Sequence, residues 1–347
     1  MWQRQAWRVL GVAVISLGLV TMLLSGLIGD RSEAQPRKPE TLTVLRCPLG
    51  CGIVEGDTIL GSFFAKEHPW FVYQTQETPG YLYNIREVAK NPARWKNTAF
   101  GTEDTIIQLA VNGGSPELKE FLPEPIKIKW KLLFGEAWWT QGMWWVTLNP
   151  NLKTIADLKG KRVPYGFSAQ LTLNRIVDAI LATGGLTGNK DIIPVLVPNV
   201  IRGADDFAEG KTDGGFFAIG AAKVAELHKS IGGIRYLPVS DEPAAVLAMQ
   251  RIMPYAYVTL VQPSPAFVGL DGPTKLMAYD YLVVVGAHVK DDVVYQIAKA
   301  MYENKPKLVE SLRAFNGFNP DNMHKTMPAS FHPGSEKYYK EKGIGAK

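Results

Sequence analysis

The sequence predicts an α/β fold built from two successive sets of strands and helices. Three observations carry that prediction. Short runs rich in β-branched and aromatic residues alternate with segments of helical period, the pattern of a mostly parallel sheet flanked by helices. The alternation pauses near Pro150 and starts afresh, which divides the chain into two sets. The chain has 347 residues, 46% hydrophobic and 20% charged, with 33 Gly and 23 Pro, a composition and length that suit a two-domain globular protein.

The first residues read as a secretory signal. Arg4 and Arg8 precede an apolar run from Val9 to Ile28, and Ser32-Glu33-Ala34 offers a small-x-small cleavage site. Cleavage after Ala34 would start the mature chain at Gln35. The run is also long enough to cross a bilayer, so an uncleaved anchor is the alternative. Either way the body lies outside the cytoplasm.

After a polar lead-in, "TLTVLRC" is a strand and "VEGDTILGSFFAKE" a helix. "FVYQTQ" and "GYLYNIREVAK" repeat the pair, and "NTAFGT" with "EDTIIQLAVNGG" does so again. "IKIKWKLLFGE" and "MWWVTLNP" are extended and close the first set. In the second set, "TIADLKG" is a short helix opened by Thr154 and stopped by Gly160. "KRVPYG" is a strand. "LTLNRIVDAILATGG" puts Leu173, Ile176, Val177, Ile180 and Leu181 on one helical face. "DIIPVLV", "GGFFAIG" and "GIRYLPV" are further strands. Asp205-Asp206 and Asp291-Asp292 are expected at helix starts, where carboxylates suit the dipole. Pro243 opens a helix that ends before Pro254. "AYDYLVVVGAHV" is an apolar strand, followed by the helix "KDDVVYQIAKAMYEN".

A net charge of +5 without a basic block excludes a nucleic-acid footprint. There is no phosphate-binding glycine loop, so no nucleotide cofactor is expected. His68, His228, His288, His324 and His332 are spaced too irregularly for a metal cluster. The two cysteines, Cys47 and Cys51, lie around Pro48 and Gly50; in an oxidising compartment they can close a small disulfide loop, with free thiols as the alternative.

Ser168 stands where a strand breaks and a helix begins, in "GFSAQLT". The tight nucleophile turn wants Gly where Gln170 stands, so a nucleophile is not expected. The other readings are a helix cap and an anion site, with Gln170 and Thr172 adding donors. In "GEAWWTQGMWW", Trp144 and Trp145 read as core. Trp138 and Trp139 fall in a loop and can line a cleft.

The runs "NLKTIADLKGKRVPYGFSAQLTLNRIVDAIL", "DFAEGKTDGGFFAIGAAKVAELHKSIGGIRYLPV", "YDYLVVVGAHVKDDVVYQIAKAMYENKPKL" and "FHPGSEKYYKEKGI" together resemble the TAXI-type solute receptors of TRAP transporters. The resemblance covers most of the chain after residue 40. It implies a two-lobed periplasmic-binding-protein fold of type II, with lobe 1 at 41–147 and 287–347. Lobe 2 would be 148–286, including the return crossing; the two extended segments that connect the two sets are expected to hinge near Trp145–Asn149 and Leu282–Gly286. The resemblance further implies a periplasmic, non-catalytic protein without cofactor, which captures a small organic anion between its lobes and passes it to a TRAP-type permease for gradient-driven uptake. The helix start at Ser168–Thr172 and the aromatic loop residues themselves point to a carboxylate with an apolar or aromatic body. Rival readings are a substrate-binding component of an ABC importer for aromatic or sulfonated compounds, an anchored sensor, and an enzyme of the same fold.

The loops depart from the resembled pattern. "RCPLGCGIVEGD" and "TPGYLYN" replace small-residue loops, and "AIGAA" stands at the last turn. Residues expected at the ligand are therefore Arg46, Cys47 and Gly52 in the first loop and Pro79, Gly80 and Tyr81 in the second. Thr102, Trp138, Phe167, Ser168, Gln170, Thr172 and Gly220 complete the set. Tyr81, Trp138 and Phe167 are expected to give flat apolar contact, and Arg46 to add a charge if it turns into the cleft.

Overall fold

Residues 39–49, 52–102, 130–141, 143–311, 315, 317–325 and 329–345 are described by a computed structural model. The expected signal or anchor, the helix of "EDTIIQLAVNGG" and Cys51 lie outside these residues.

The first set forms the parallel part of a six-stranded sheet. β1 (Glu40–Leu45) lies between β2 (Phe71–Gln76) and β3 (Thr98–Thr102), parallel to both. Helices α1 (Gly52–Glu67) and α2 (Tyr81–Lys90) make the crossovers that parallel pairing requires. β4 (Trp130–Gln141) then runs antiparallel to the long strand β11 (Thr274–Gly286).

β5 (Met143–Thr147) pairs with β8 (Gly215–Ala218) and β9 (Arg235–Tyr236), so it belongs to the second set's sheet although the sequence placed it at the end of the first. β6 (Arg162–Tyr165) and β7 (Ile193–Leu196) pair in parallel beside it. Between them runs α3 (Leu173–Thr183), whose predicted apolar face is buried and which stops where Gly185 turns left-handed at φ 71°. After the single turn α4 (Gly188–Asp191) comes α5 (Val200–Ala208). Its N-cap Asn199 accepts from the Arg202 N–H. Asp205 and Asp206 therefore stand in its second half, not at its start; Asp206 is buried and pairs with Arg202 and Lys211. α6 (Ala222–Ser230) and α7 (Pro243–Ile252) follow.

β10 (Tyr257–Val261) pairs with the first half of β11 and β3 with its second half. α8 (Asp291–Glu303) carries Asp291 and Asp292 in its first turn, as expected. α9 (Lys305–Ser311) and α10 (Pro333–Lys342) end the fold.

The apolar side chains separate into two lobes. One core joins α3, α5, β8 and the lobe-2 ends of β10 and β11, including Leu276, Met277 and Tyr279. Two clusters on the faces of the other sheet take Tyr281, Val283 and Val285 on one side and Leu282 and Val284 on the other. β11 thus leaves one core and enters the other at Asp280.

Candidate functional site

Strands β1, β2 and β3 present their carboxyl ends on one edge of the first lobe. Such edges are where open parallel sheets place ligands. Arg46 and Cys47 follow β1, Thr78, Pro79 and Gly80 follow β2, and Thr102 ends β3. Gly52 and Tyr81 are the first residues of α1 and α2.

Arg46 turns away from this edge. It is 0% exposed, and its guanidinium forms an ion pair with the equally buried Asp57 of α1. It also donates to Tyr281 Oη at 2.5 Å and Tyr73 Oη at 2.9 Å, and Tyr73 in turn donates to Asp57 Oδ1 at 2.8 Å. Burial disfavours both charges. The contact with Asp57 nevertheless holds the Arg46 pKa above its ordinary value, while burial pushes the Asp57 carboxyl up to about 6 against the pull of Arg46. Gly101 lies against Arg46 and Tyr281 so closely that a Cβ has no room. The Arg46 carbonyl accepts from Thr78 Oγ1 and from Asn84 Nδ2 at 3.2 Å. One residue therefore ties the end of β1 to α1, α2, β2, β3 and β11, and it shapes both loops instead of offering a charge to the cleft. Cys47 is buried and disulfide-bonded, and the chain has one other cysteine, Cys51.

The half-buried ring of Tyr81 packs against both clusters of the first lobe. Gly80 caps α2 with φ 146°, and its N–H donates to Thr78 Oγ1 at 3.3 Å. Among the described residues, the N–H groups of Leu82 and Tyr83 in the first turn of α2 meet no acceptor.

In the second lobe the corresponding edge follows β6, β7 and β8. Phe167 points into the core, 5.6 Å from the ring of Phe216, and is fully buried. Ser168 is exposed but does not cap the helix: α3 begins at Leu173 with Thr172 at the N-cap position. The Ser168 and Ala169 N–H groups bond to the carbonyls of Val197 and Pro198. Leu173, Asn174 and Arg175 donate to Gln170, Leu171 and Thr172 in a run of tight turns. Only Leu171 and Thr172 in this stretch keep N–H groups without an acceptor among the described residues. Gln170 is buried and accepts the Val200 N–H at 3.0 Å, which fixes the turn to the start of α5. Gly220, at φ 74°, packs beneath Phe267.

The two edges meet. A Cβ on Gly80 would sit 3.3 Å from the Ala169 carbonyl and 3.5 Å from Gln170 Cγ, and Leu171 of the second lobe packs against the first lobe's cluster around Leu282 and Val284. Thr78 to Tyr83 and Ser168 to Thr172 are thus brought together. Arg46 and Phe167 are placed inside the lobes. The backbone of Trp138 lies within β4, opposite Tyr281, and not in a loop. Sequence reasoning missed Asp57, Asn84 and Leu171. A buried acid spaced to face Arg46 from the next helix was the only available signal for the first.

Among the described residues no group of three or more His, Cys, Asp or Glu could hold a metal ion. The fold is that of two-lobed periplasmic solute-binding proteins of type II. A periplasmic transporter structure superposes with TM-score 0.54 at 14% identity, over 91% of this chain and 99% of that one. The Rhodopseudomonas palustris protein MatC with bound malate gives 0.53 at 12%, over 88% and 96%. A second R. palustris protein, with adipate, gives 0.52 at 14%, over 88% and 94%. The family model described as the NMT1-like family matches residues 133–343, more than half of the sequence, and the chain belongs to that family.

Proposed function

We propose that this protein is an extracytoplasmic, periplasmic receptor that captures a small organic anion between its two lobes and hands it to a membrane permease, without catalysing a reaction. One observation carries the reading. Backbone N–H groups of Leu82 and Tyr83 from one lobe and of Leu171 and Thr172 from the other, which meet no acceptor among the described residues, lie on edges that touch at Gly80 and Ala169. Helix starts favour negative charge, and donors from both lobes reward closure around it. Ser168, exposed beside the second pair, adds a hydroxyl. A carboxylate is the favoured anion, and the malate and adipate bound by similarly folded proteins support it. In this reading lobe 1 is formed by the segments before the β4–β5 crossing and from Tyr281 of β11 onward, and lobe 2 by what lies between.

The NMT1-like match weighs for the substrate-binding component of an ABC importer as the transport partner. The TAXI-like runs of the sequence support a TRAP-type permease as the second reading. Uptake that stops on ATP depletion but survives collapse of ion gradients selects the importer, and the reverse selects TRAP.

The receptor reading is tested by melting the purified, refolded protein with adipate, malate, benzoate and benzenesulfonate. A ligand at 100 times its dissociation constant adds about 2.7 kcal/mol of stability, a readable rise in melting temperature. A carboxylate should give that rise, and Ser168→Ala should reduce it. No rise with any of the four would reject the reading.

A further inference from the structure

We propose that Asp280, Lys325 and Tyr257 form a clamp across the hinge that holds the two lobes at a set angle. From Leu276 to Gly286, β11 carries one charged side chain, Asp280, at the position where the strand passes between cores. On one edge of β11 the pairing with β10 ends at Ala278, and the pairing with β3 begins at Leu282. Asp280 therefore stands in the gap where strands of the two lobes part.

Its carboxylate is nearly buried, at 4% exposure, and each oxygen is engaged by a different lobe. Tyr257 of β10, on the lobe-2 side, donates to Oδ1 at 3.2 Å. Lys325, between Met323 and Ala329 of the lobe-1 clusters, donates to Oδ2 at 2.5 Å. The Lys325 ammonium also lies 5.4 Å from the centre of the Tyr257 ring, a direct cation–π contact between the lobes.

The opposite edge of β11 is built to bend. Tyr281 faces Trp138 and Val283 faces Phe134, so Gly135, Glu136 and Ala137 stand against Leu282 alone. Extra residues on one strand kink a ribbon and increase its twist. A bend there changes the separation of Tyr257 from Lys325, and the clamp opposes it.

The test needs no ligand, so its result is independent of the receptor reading. Spin labels are placed on the exposed positions Ala65, by Ala65→Cys in lobe 1, and Leu247, by Leu247→Cys in lobe 2. Pulsed dipolar spectroscopy then reads the distance between lobes. The parent should show one narrow distribution. Lys325→Met should add a displaced second population, Tyr257→Phe a smaller one, and Lys325→Arg should restore the parent. A Lys325→Met trace that coincides with the parent, or a displacement that Lys325→Arg leaves in place, overturns the clamp.

Discussion

The two lobes bring loops to the same seam by different chemistry. In lobe 1 the loops hang on a buried ion pair: Arg46 and Asp57, with Tyr73 and Tyr281, fill the space under the ends of the strands. In lobe 2 the turn from Gly166 to Thr172 is held by backbone bonds and two amide side chains. Gln170 accepts the Val200 N–H at 3.0 Å and Asn174 the Gly166 N–H at 2.9 Å. Neutral groups satisfied locally cost little to bury, whereas a buried charge depends wholly on its partner. The first edge should therefore be fragile to substitution and pH, and the second tolerant.

The largest effect separating the lobes is expected at Asp57. Asp57→Ala leaves Arg46 buried and unpaired, a loss of about 3–5 kcal/mol, read by urea unfolding. Replacing both charges, with Arg46→Met and Asp57→Leu, should recover most of it; a double variant as unstable as Asp57→Ala would deny that the lone charge is the cause.

The pH dependence sharpens the same contrast. The folded-state pKa of Asp57 is raised from 3.8 to about 6, so the folded protein holds this proton more tightly than the unfolded chain. That contribution is fully present below about pH 4 and is lost as the pH rises through about 6, at roughly 1.4 kcal/mol per pK unit. Relative to Asp57→Asn, the parent should lose stability between pH 4 and pH 7. A difference that stays flat across this window would remove Asp57 from the account.

In lobe 2, Gln170→Ala strips the acceptor from a buried N–H and should cost about 1–3 kcal/mol with no pH dependence. Ser168→Ala should change stability by less than about 0.5 kcal/mol, because Ser168 is exposed and caps nothing; a larger loss would restore the cap that the sequence suggested.

The fold was largely legible because hydrophobic period is a local signal. The buried face of α3, the strand at "AYDYLVVVGAHV" and the helix opened by Asp291-Asp292 all stand where the pattern put them. The candidate edges were legible as well, since loops after parallel strands are readable from the alternation. The directions of side chains within them were not. Arg46 turns inward because its partners come from Asp57 on the next helix and Tyr281, 235 residues away. Phe167 turns inward because Phe216, on a later strand, is there to meet it. Ser168 lost its cap because the chain spends Ser168 to Thr172 on turns tied to Val197 and Pro198 before α3 starts. Trp138 was misplaced for a similar reason: pairing with β11 extends β4 through the tryptophans, and that partner is far along the chain.

Capture of an anion by both lobes at once is tested by hydrogen exchange. The protein is compared as isolated from its native host and after unfolding and refolding have removed bound small molecules. Native mass spectrometry establishes that the first sample carries a small acid. Exchange in that sample should be slower at Leu82–Tyr83 and at Leu171–Thr172 together. Slowing confined to one lobe, or equal exchange at both segments in a sample that carries its acid, would contradict it.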